Sequence, residues 1–423
     1  MLAFKIELAL SMIALIILLD IYSWQGIKTM FKNRSAKFLN NFRKTYFGIS
    51  ILFVTFFTSL YFVPFLEAGN LFRVFTSAFV FIIYLTKLLF CIFLLIDDLQ
   101  RFIQWSYRKI STPSSKLSEE KNENTSTISR AKFISQAGII TSAVPFVMLT
   151  KGIFKGAYDY RVIQVPLYLK NLPSAFEGLK ILQISDIHSG SFFDKDAVRR
   201  GVEMINQTKS DLILFTGDLV NSKTDEAYDY ADIFSAIKAP MGVFSTLGNH
   251  DYGDYTHWDS DTAKQKNLDD LVQVHKDLGW HLMRNENVTL EKDQQRIGLI
   301  GVENWGDRGR FQKFGDIDKA KNGMPDVPVK LLLSHDPSHF DSIISKSHPD
   351  INATFAGHTH GFQFGVEFGH IKWSPSQYIY PHWAGLYKVG DQQLYVNRGF
   401  GFLGYPGRVG IMPEITVFEL HKG

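Results

Sequence analysis

Cysteine is nearly missing from this sequence of 423 residues: Cys91 stands alone, inside an apolar run. An intrachain disulfide, thiolate metal ligation and Cys-x-x-Cys redox chemistry are thereby excluded. A chain without cysteine pairs suits cytoplasm and periplasm alike, so cysteine usage leaves the compartment open. An excess of one charge is lacking too. Lys and Arg number 45 against 42 Asp and Glu, a formal net charge of +3. That is far from the basic footprint of a nucleic-acid binder, and nucleic acid is not expected as a partner. No internal repeat is visible.

What the chain has in quantity is apolar residues, 45% of the total with 14% aromatic, unevenly spread. Residues 6–24, 46–66 and 72–96 are three apolar runs, each about the length a helix needs to cross a bilayer. A fourth and weaker run covers 133–150, after a polar linker within 101–130 whose Ser/Thr/Glu/Lys-rich middle reads as flexible. Residues 1–155 are therefore expected to form a membrane region and 156–423 a separate domain.

Basic residues set the expected orientation. The 25–44 loop holds Lys28, Lys32, Arg34, Lys37, Arg43 and Lys44 with no acid, and the 101–132 segment is similarly rich in Lys and Arg, so both are expected in the cytoplasm. The connection 67–71 carries no basic residue and fits the opposite side. If the fourth run also spans, everything after about residue 155 is extracytoplasmic. Lys151 and Lys155 just beyond it are a mild objection. The stretch SRAKFISQAGIITSA resembles a twin-arginine export signal, with Ala131 where the second arginine would stand. Lys87, inside the third run, is a candidate for a functional cavity. No carboxylate lies close to it in sequence, so snorkelling or helix packing stands beside that reading. No polar pair is evident within the runs, which argues against a transport path.

Beyond residue 160 the texture changes to short apolar runs separated by turn residues and helix-like stretches. Runs at 178–185, 211–217, 241–248, 296–304, 329–335, 351–357, 393–399 and 414–420 read as buried strands, and 194–209 as an amphipathic helix. The expected domain is a layered α/β one. Five runs end in oxygen or imidazole donors: Asp186-Ile-His188, Gly217-Asp218, Gly248-Asn249-His250-Asp251, His335-Asp336 and Gly357-His358-Thr359-His360. Taken singly, each reads equally well as a turn or a cap. Loops at the carboxyl ends of α/β strands converge on one crevice, so the ordered set points to a shared site.

This series, D-x-H, GD, GNHD, H and GHTH, resembles the five-part signature of the calcineurin-like metallophosphoesterase superfamily from about residue 178 to 361. The stretch LYVNRGFGFLGYPGRVGIMPEI, 394–415, looks like the ending found in its membrane-attached bacterial branch. The resemblance implies a four-layer αββα sandwich, here preceded by the transmembrane region, with a two-metal site at its rim. It implies Asp186, His188 and His360 as ligands of one divalent cation and Asn249, His335 and His358 as ligands of the other, with Asp218 bridging. Mn, Fe or Zn suits such a donor mixture. A bridging hydroxide would attack phosphorus and His250 would protonate the leaving group. Asp251 either orients His250 or merely starts the following loop.

Arg398 and Arg408 are candidates for binding a phosphate oxygen, with surface ion pairing as the alternative. Phe400, Phe402 and Tyr405 fit an apolar substrate, the membrane surface or the core equally well. The expected function is a membrane-anchored phosphoesterase of the bacterial inner membrane, its catalytic domain facing the periplasm or exterior. Its candidate substrate is a lipid-linked phosphodiester or pyrophosphate, such as a nucleotide-linked lipid A precursor. The alternative is a non-catalytic membrane sensor or transport component built on the same fold.

Overall fold

The structure, a computed structural model, describes residues 2–62, 70–111, 130–309, 311–369 and 371–423. The chain divides into two compact units, Met1–Thr150 and Lys151–Gly423. The end of the 46–66 run, most of the 67–71 connection, the body of the polar linker and His370 lie outside the described residues.

The first unit is helical: α1 (Leu2–Met30), α2 (Ala36–Phe62), α3 (Asn70–Ser111) and most of α4 (Arg130–Phe154). Among the described residues, three segments are long and apolar enough to cross a membrane: Leu10–Met30, Phe72–Ile110 and Lys132–Phe154. α2 opens with Lys37, Arg43 and Lys44 and falls short by the same measure within its described part.

The membrane runs do contain a polar pair, contrary to the sequence expectation. The Lys87 ammonium on α3 meets the Asp20 carboxylate on α1. The Tyr84 hydroxyl donates to the same carboxylate at 3.1 Å, and the Lys87 ammonium lies 4.9 Å and 4.8 Å from the Tyr46 and Tyr84 rings. Sixty-seven residues separate the pair, so only the helix packing reveals it.

The second unit holds fourteen strands among its described residues. They are β1 (Arg161–Leu169), β2 (Lys180–Ile184), β3 (Leu212–Phe215), β4 (Val243–Ser245), β5 (His281–Leu282), β6 (Glu286–Lys292) and β7 (Gln295–Gly301), followed by β8 (Lys330–Leu333), β9 (Ala353–Ala356), β10 (Val366–Phe368), β11 (Ile371–Trp373), β12 (Gly385–Val389), β13 (Gln392–Val396) and β14 (Glu414–Lys422). One six-stranded sheet runs β1-β14-β2-β3-β4-β5 and a second β12-β13-β9-β8-β7-β6, while β10 and β11 form a separate hairpin. All eight predicted runs contain a strand. β1, β5, β6, β10, β11 and β12 were not foreseen; all but the largely apolar β1 are short or mix polar residues into the run, as edge and hairpin strands do.

The apolar runs are continuous because each strand is buried on both faces. Alternation along a strand divides its side chains between two cores. Leu212 and Leu214 of β3 point into the core between the sheets, with Leu331, Phe355 and Phe418. Ile213 and Phe215 face the other way, towards Val198 and Val202 of α5 (Lys195–Gln207) and Leu271 of the helix Asp261–Asp277. On the far side, Ile300 and Leu332 meet Phe340 and Ile344. The four layers are thus helix, sheet, sheet, helix. β2, β3 and β4 are mutually parallel, as are β7, β8 and β9, so their carboxyl ends bring the intervening loops to the rim. Asp194 starts α5 by accepting from the Ala197 amide at 2.9 Å.

Candidate metal centre

The rim loops are short and strained. Asp186, His188, Asp218, His358 and His360 all adopt positive φ, between 50° and 71°, a region costly for residues with a Cβ. Hydrogen bonds hold them there: the Asp186 amide donates to the Gly217 carbonyl at 2.9 Å, the His188 amide to the Asp218 carbonyl at 3.1 Å. The His358 amide donates to the Asp186 carboxylate at 3.0 Å. Two motif glycines are required by close approach. A Cβ on Gly248 would lie 2.2 Å from Asp218 Oδ1, and one on Gly357 2.3 Å from Asp186 Oδ2.

Two groups of donors result. Asp186, His188 and His360 place one ligand atom each within 4.8 Å of one another, and Asp218, His335 and His358 do the same. Asn249 joins the second group, its Oδ1 3.2 Å from His335 Nε2. Asp218 Oδ2 reaches towards both, 3.5 Å from His188 Nε2 and 3.1 Å from His335 Nε2. The structure therefore brings together all seven residues named as ligands from the sequence.

The donor chemistry fits divalent cations. His335 Nδ1 donates to the Thr216 carbonyl at 2.7 Å, which leaves Nε2 of a neutral ring as a lone pair. That lone pair faces Asp218 Oδ2, Asn249 Oδ1 and His358 Nδ1, the last at 3.3 Å. Asn249 is fixed in that sense because its amide nitrogen donates to the Tyr255 hydroxyl at 2.7 Å. Acceptors so crowded repel unless a proton or a cation lies among them. Burial opposes a charged His335, yet the facing Asp218 carboxylate overrides it and holds the ring's pKa up at about 10, so the pocket demands positive charge. In the other group burial drives the His188 pKa well down, and its Nε2 lies 3.0 Å from that of His360.

His250 stands beside both groups. Its amide donates to Asp218 Oδ1 at 2.8 Å, its ring Nδ1 to the Asn221 carbonyl at 2.7 Å, and its ring stacks on Tyr255 at 4.1 Å. Asp251 does not orient it. The Asp251 carboxylate instead accepts from the amides of Gly248, Asp218, Leu219 and Val220, tying two rim loops together. Burial, and then the Asp218 charge, push the Asp251 pKa up to about 7 against those amides.

Both arginine expectations need correction. Arg408 is fully buried, and its guanidinium donates to backbone carbonyls, Gly401 and Arg398 among them, 3.2 Å from His360 Nδ1. It braces the His360 loop and cannot present itself to a substrate. Arg398 is nearly as buried, paired with Glu414 and, at 2.6 Å, with Glu367. A sequence shows neither partner, because both arise from distant strands. Phe400 and Phe402 belong to the core, whereas Tyr405 lines an open cavity next to His358 and His360. Sequence reasoning missed Tyr255 and also Tyr380, whose hydroxyl lies 2.8 Å from His358 Nε2. For Tyr255 a signal existed, its place five residues beyond His250 in the same loop. Tyr380 follows no motif.

A layered αββα fold whose rim gathers two sets of histidines and carboxylates defines a metallophosphoesterase. Residues 179–362 match the calcineurin-like phosphoesterase family model, and residues 6–157 match a four-transmembrane model, the transmembrane domain of calcineurin-like phosphoesterases. An uncharacterized metallophosphoesterase of Bacillus subtilis, YkuE, is 31% identical over 59% of this chain and 81% of its own length. A Helicobacter pylori metallophosphoesterase is 30% identical over 64% of this chain and 66% of its own. A transmembrane protein with a metallophosphoesterase domain from Danio rerio is 26% identical over 67% of this chain and 62% of its own. The chain belongs to the calcineurin-like metallophosphoesterase family, the family of phosphoester hydrolases foreseen from its motifs, and carries that family's transmembrane domain in front of the catalytic one.

Proposed function

We infer that the protein hydrolyses a phosphodiester or pyrophosphate at the paired clusters, with Asp186, His188 and His360 holding one divalent cation, Asn249, His335 and His358 a second, and Asp218 shared. The observation that carries this reading is the convergence of carboxylate, imidazole and amide donors on two points, with Asp218 Oδ2 reaching towards both. Mn, Fe or Zn fits the mixture of imidazole, carboxylate and amide donors. Bound there, such cations lower the pKa of a coordinated water towards neutrality and offset charge on the phosphoryl oxygens.

The chain's own residues do the rest. Asp218 and Asn249 are fixed by the His250 amide and the Tyr255 hydroxyl, so the donors are organised before substrate arrives. His250 is the acid. Its Nδ1 proton is committed to the Asn221 carbonyl, so the proton on Nε2 is the one passed to the leaving oxygen, and the Tyr255 ring keeps the imidazole aimed. A covalent phospho-enzyme is not required.

The asymmetry of Lys and Arg between the loops supports an extracytoplasmic catalytic unit. Membrane attachment and a largely apolar cavity beside the clusters support a lipid-linked substrate. Neither the relatives nor the lining residues single out a nucleotide-linked lipid A precursor. The test is hydrolysis of an aryl phosphodiester by the full-length protein with Mn. Turnover lost on chelation and in Asp218→Ala sustains the reading, and its absence from a folded, metal-loaded protein overturns it.

A further inference from the structure

The catalytic unit carries an apolar face beside the metal clusters. Phe368, Ile371 and Tyr378 are 79%, 63% and 76% exposed, far more than isolated surface residues on a folded domain need be. They are contiguous. β10 and β11 pair Phe368 with Ile371 and Val366 with Trp373, the Trp373 indole lies 3.4 Å from the Tyr378 hydroxyl, and its ring is 6.4 Å from that of Phe364. The face runs into a cavity of about 450 Å³ lined by Phe311, Phe362, Ile379, Leu403 and Tyr405, onto which His358 and His360 open. Arg308 stands exposed at its edge, its guanidinium 5.7 Å from the Tyr380 ring centre.

The same unit contains the point where the chain leaves its last membrane-length helix. Lys151–Phe154, the final turn of α4, belongs to it, and the Gly152 carbonyl accepts from the Arg408 amide at 3.2 Å. The next residue, Val409, exchanges backbone hydrogen bonds with Gln363 and Gly365 at 2.8 Å and 2.9 Å, one residue before β10 begins. One short ladder thus ties the membrane exit to the root of the apolar hairpin. Exposed aromatic and aliphatic side chains next to a membrane exit are suited to the interfacial layer of a bilayer.

We propose that the paired strands β10 and β11, with Tyr378 and Ile379, rest in the bilayer interface, and that the cavity behind them takes the apolar part of an amphiphilic phosphoester, with Arg308 facing an anionic group. The substrate half of this proposal rests on the hydrolytic reading above, and the docking half does not. The occupant is the lipid surface, argued from the backbone tie between the hairpin root and the end of the last membrane-length helix.

The experiment uses the full chain in nanodiscs. Phe368→Cys is labelled with an environment-sensitive fluorophore, Cys91 being buried, and Asp293→Cys is the control. Asp293 lies in the β6–β7 turn, at the end of the strands away from the metal rim. A blue shift and about twofold or greater quenching by brominated lipid at 368, with none at 293, is expected. Equal exposure of both labels to water overturns the proposal, as does protection at 368 by crosslinking to a second copy without lipid quenching. In a second arm, Phe368→Ser/Ile371→Ser raises KM for a phosphodiester of a long-chain alcohol in mixed vesicles about tenfold and leaves a soluble aryl phosphodiester unchanged. Equal effects on both substrates overturn the substrate half. Absence of turnover by the parent protein indicts the hydrolytic reading instead, while the quenching result still stands.

Discussion

Asp20 in the membrane unit and Asp218 in the catalytic unit are both buried carboxylates, yet their surroundings differ in kind. Asp20 meets a lysine ammonium and a tyrosine hydroxyl, donors supplied by the chain itself. Asp218 meets imidazole nitrogens and a backbone amide, and among the described residues no Lys or Arg pairs with it. A buried charge needs a partner in either place. Where the chain supplies a cation the result is a lock between helices, and where it supplies imidazoles and an amide but no Lys or Arg the result is a group of donors suited to a metal ion.

The largest expected effect disables that donor group. Asp218→Ala or a chelator lowers turnover of an aryl phosphodiester on the order of 10³-fold or more, since on the proposed function the shared ligand and the charge stabilisation go together. Metal content of the purified variant is the companion measurement. A variant that retained two equivalents and near-parental turnover would break the contrast between the two carboxylates.

On the membrane side, Lys87→Met leaves the Asp20 carboxylate buried without its counter-cation, a loss of about 3–5 kcal/mol. The double variant Asp20→Asn/Lys87→Met recovers most of it. Thermal unfolding of the full chain in detergent reads both, while turnover of a soluble ester per folded molecule stays at the parental value. If Lys87→Met abolished turnover without unfolding the protein, the pair would be part of the chemistry and not a lock.

A smaller effect belongs to His250. Removing the proposed acid slows release of a poor alkoxide leaving group by about 10²-fold or more and affects an aryl leaving group much less. Steady-state rates of His250→Ala on the two ester types give the comparison directly, and equal losses on both would remove its role as acid.

The contrast also explains what the sequence shows. All seven residues of the donor group lie at the ends of apolar strands, in motifs of one to four residues, so strand reading pointed to one shared rim site and the resemblance to the superfamily signature named the seven. Whatever depends on packing stayed hidden. The Lys87 partner is two helices away, the Arg408 donors end on carbonyls that no side-chain pattern marks, and Asp251 acts on backbone amides rather than on its neighbour His250. Residues that act through the backbone or across distant elements leave no local spacing to read. The β10–β11 hairpin was missed for another reason, because its apolar residues face outwards and alternate with Glu367 and Lys372 instead of forming a buried run.

The smallest prediction concerns a third way of burying a titratable group, which is to leave it uncharged. His275 lies in the core against Phe215 and Trp280, with Ser245 Oγ 3.0 Å from Nδ1 and no hydrogen-bond partner on Nε2. Burial pushes its pKa down to about 3, from an ordinary value near 6.5. Between those values the unfolded chain binds a proton that the folded chain refuses, so stability is fully present above about pH 6.5 and falls as the pH drops. One such group contributes a slope of about 1.4 kcal/mol per pH unit. His275→Gln removes that slope between pH 6 and 4, whatever it costs in packing at pH 7. His339, buried and likewise held near a pKa of about 3, contributes a second slope of the same sign. Urea unfolding of full chain and variants from pH 4 to 7 reads the slopes. An unchanged slope in His275→Gln would mean that this imidazole is charged in the folded state, and that the core holds an unpaired cation where Asp20 and Asp218 each required a partner.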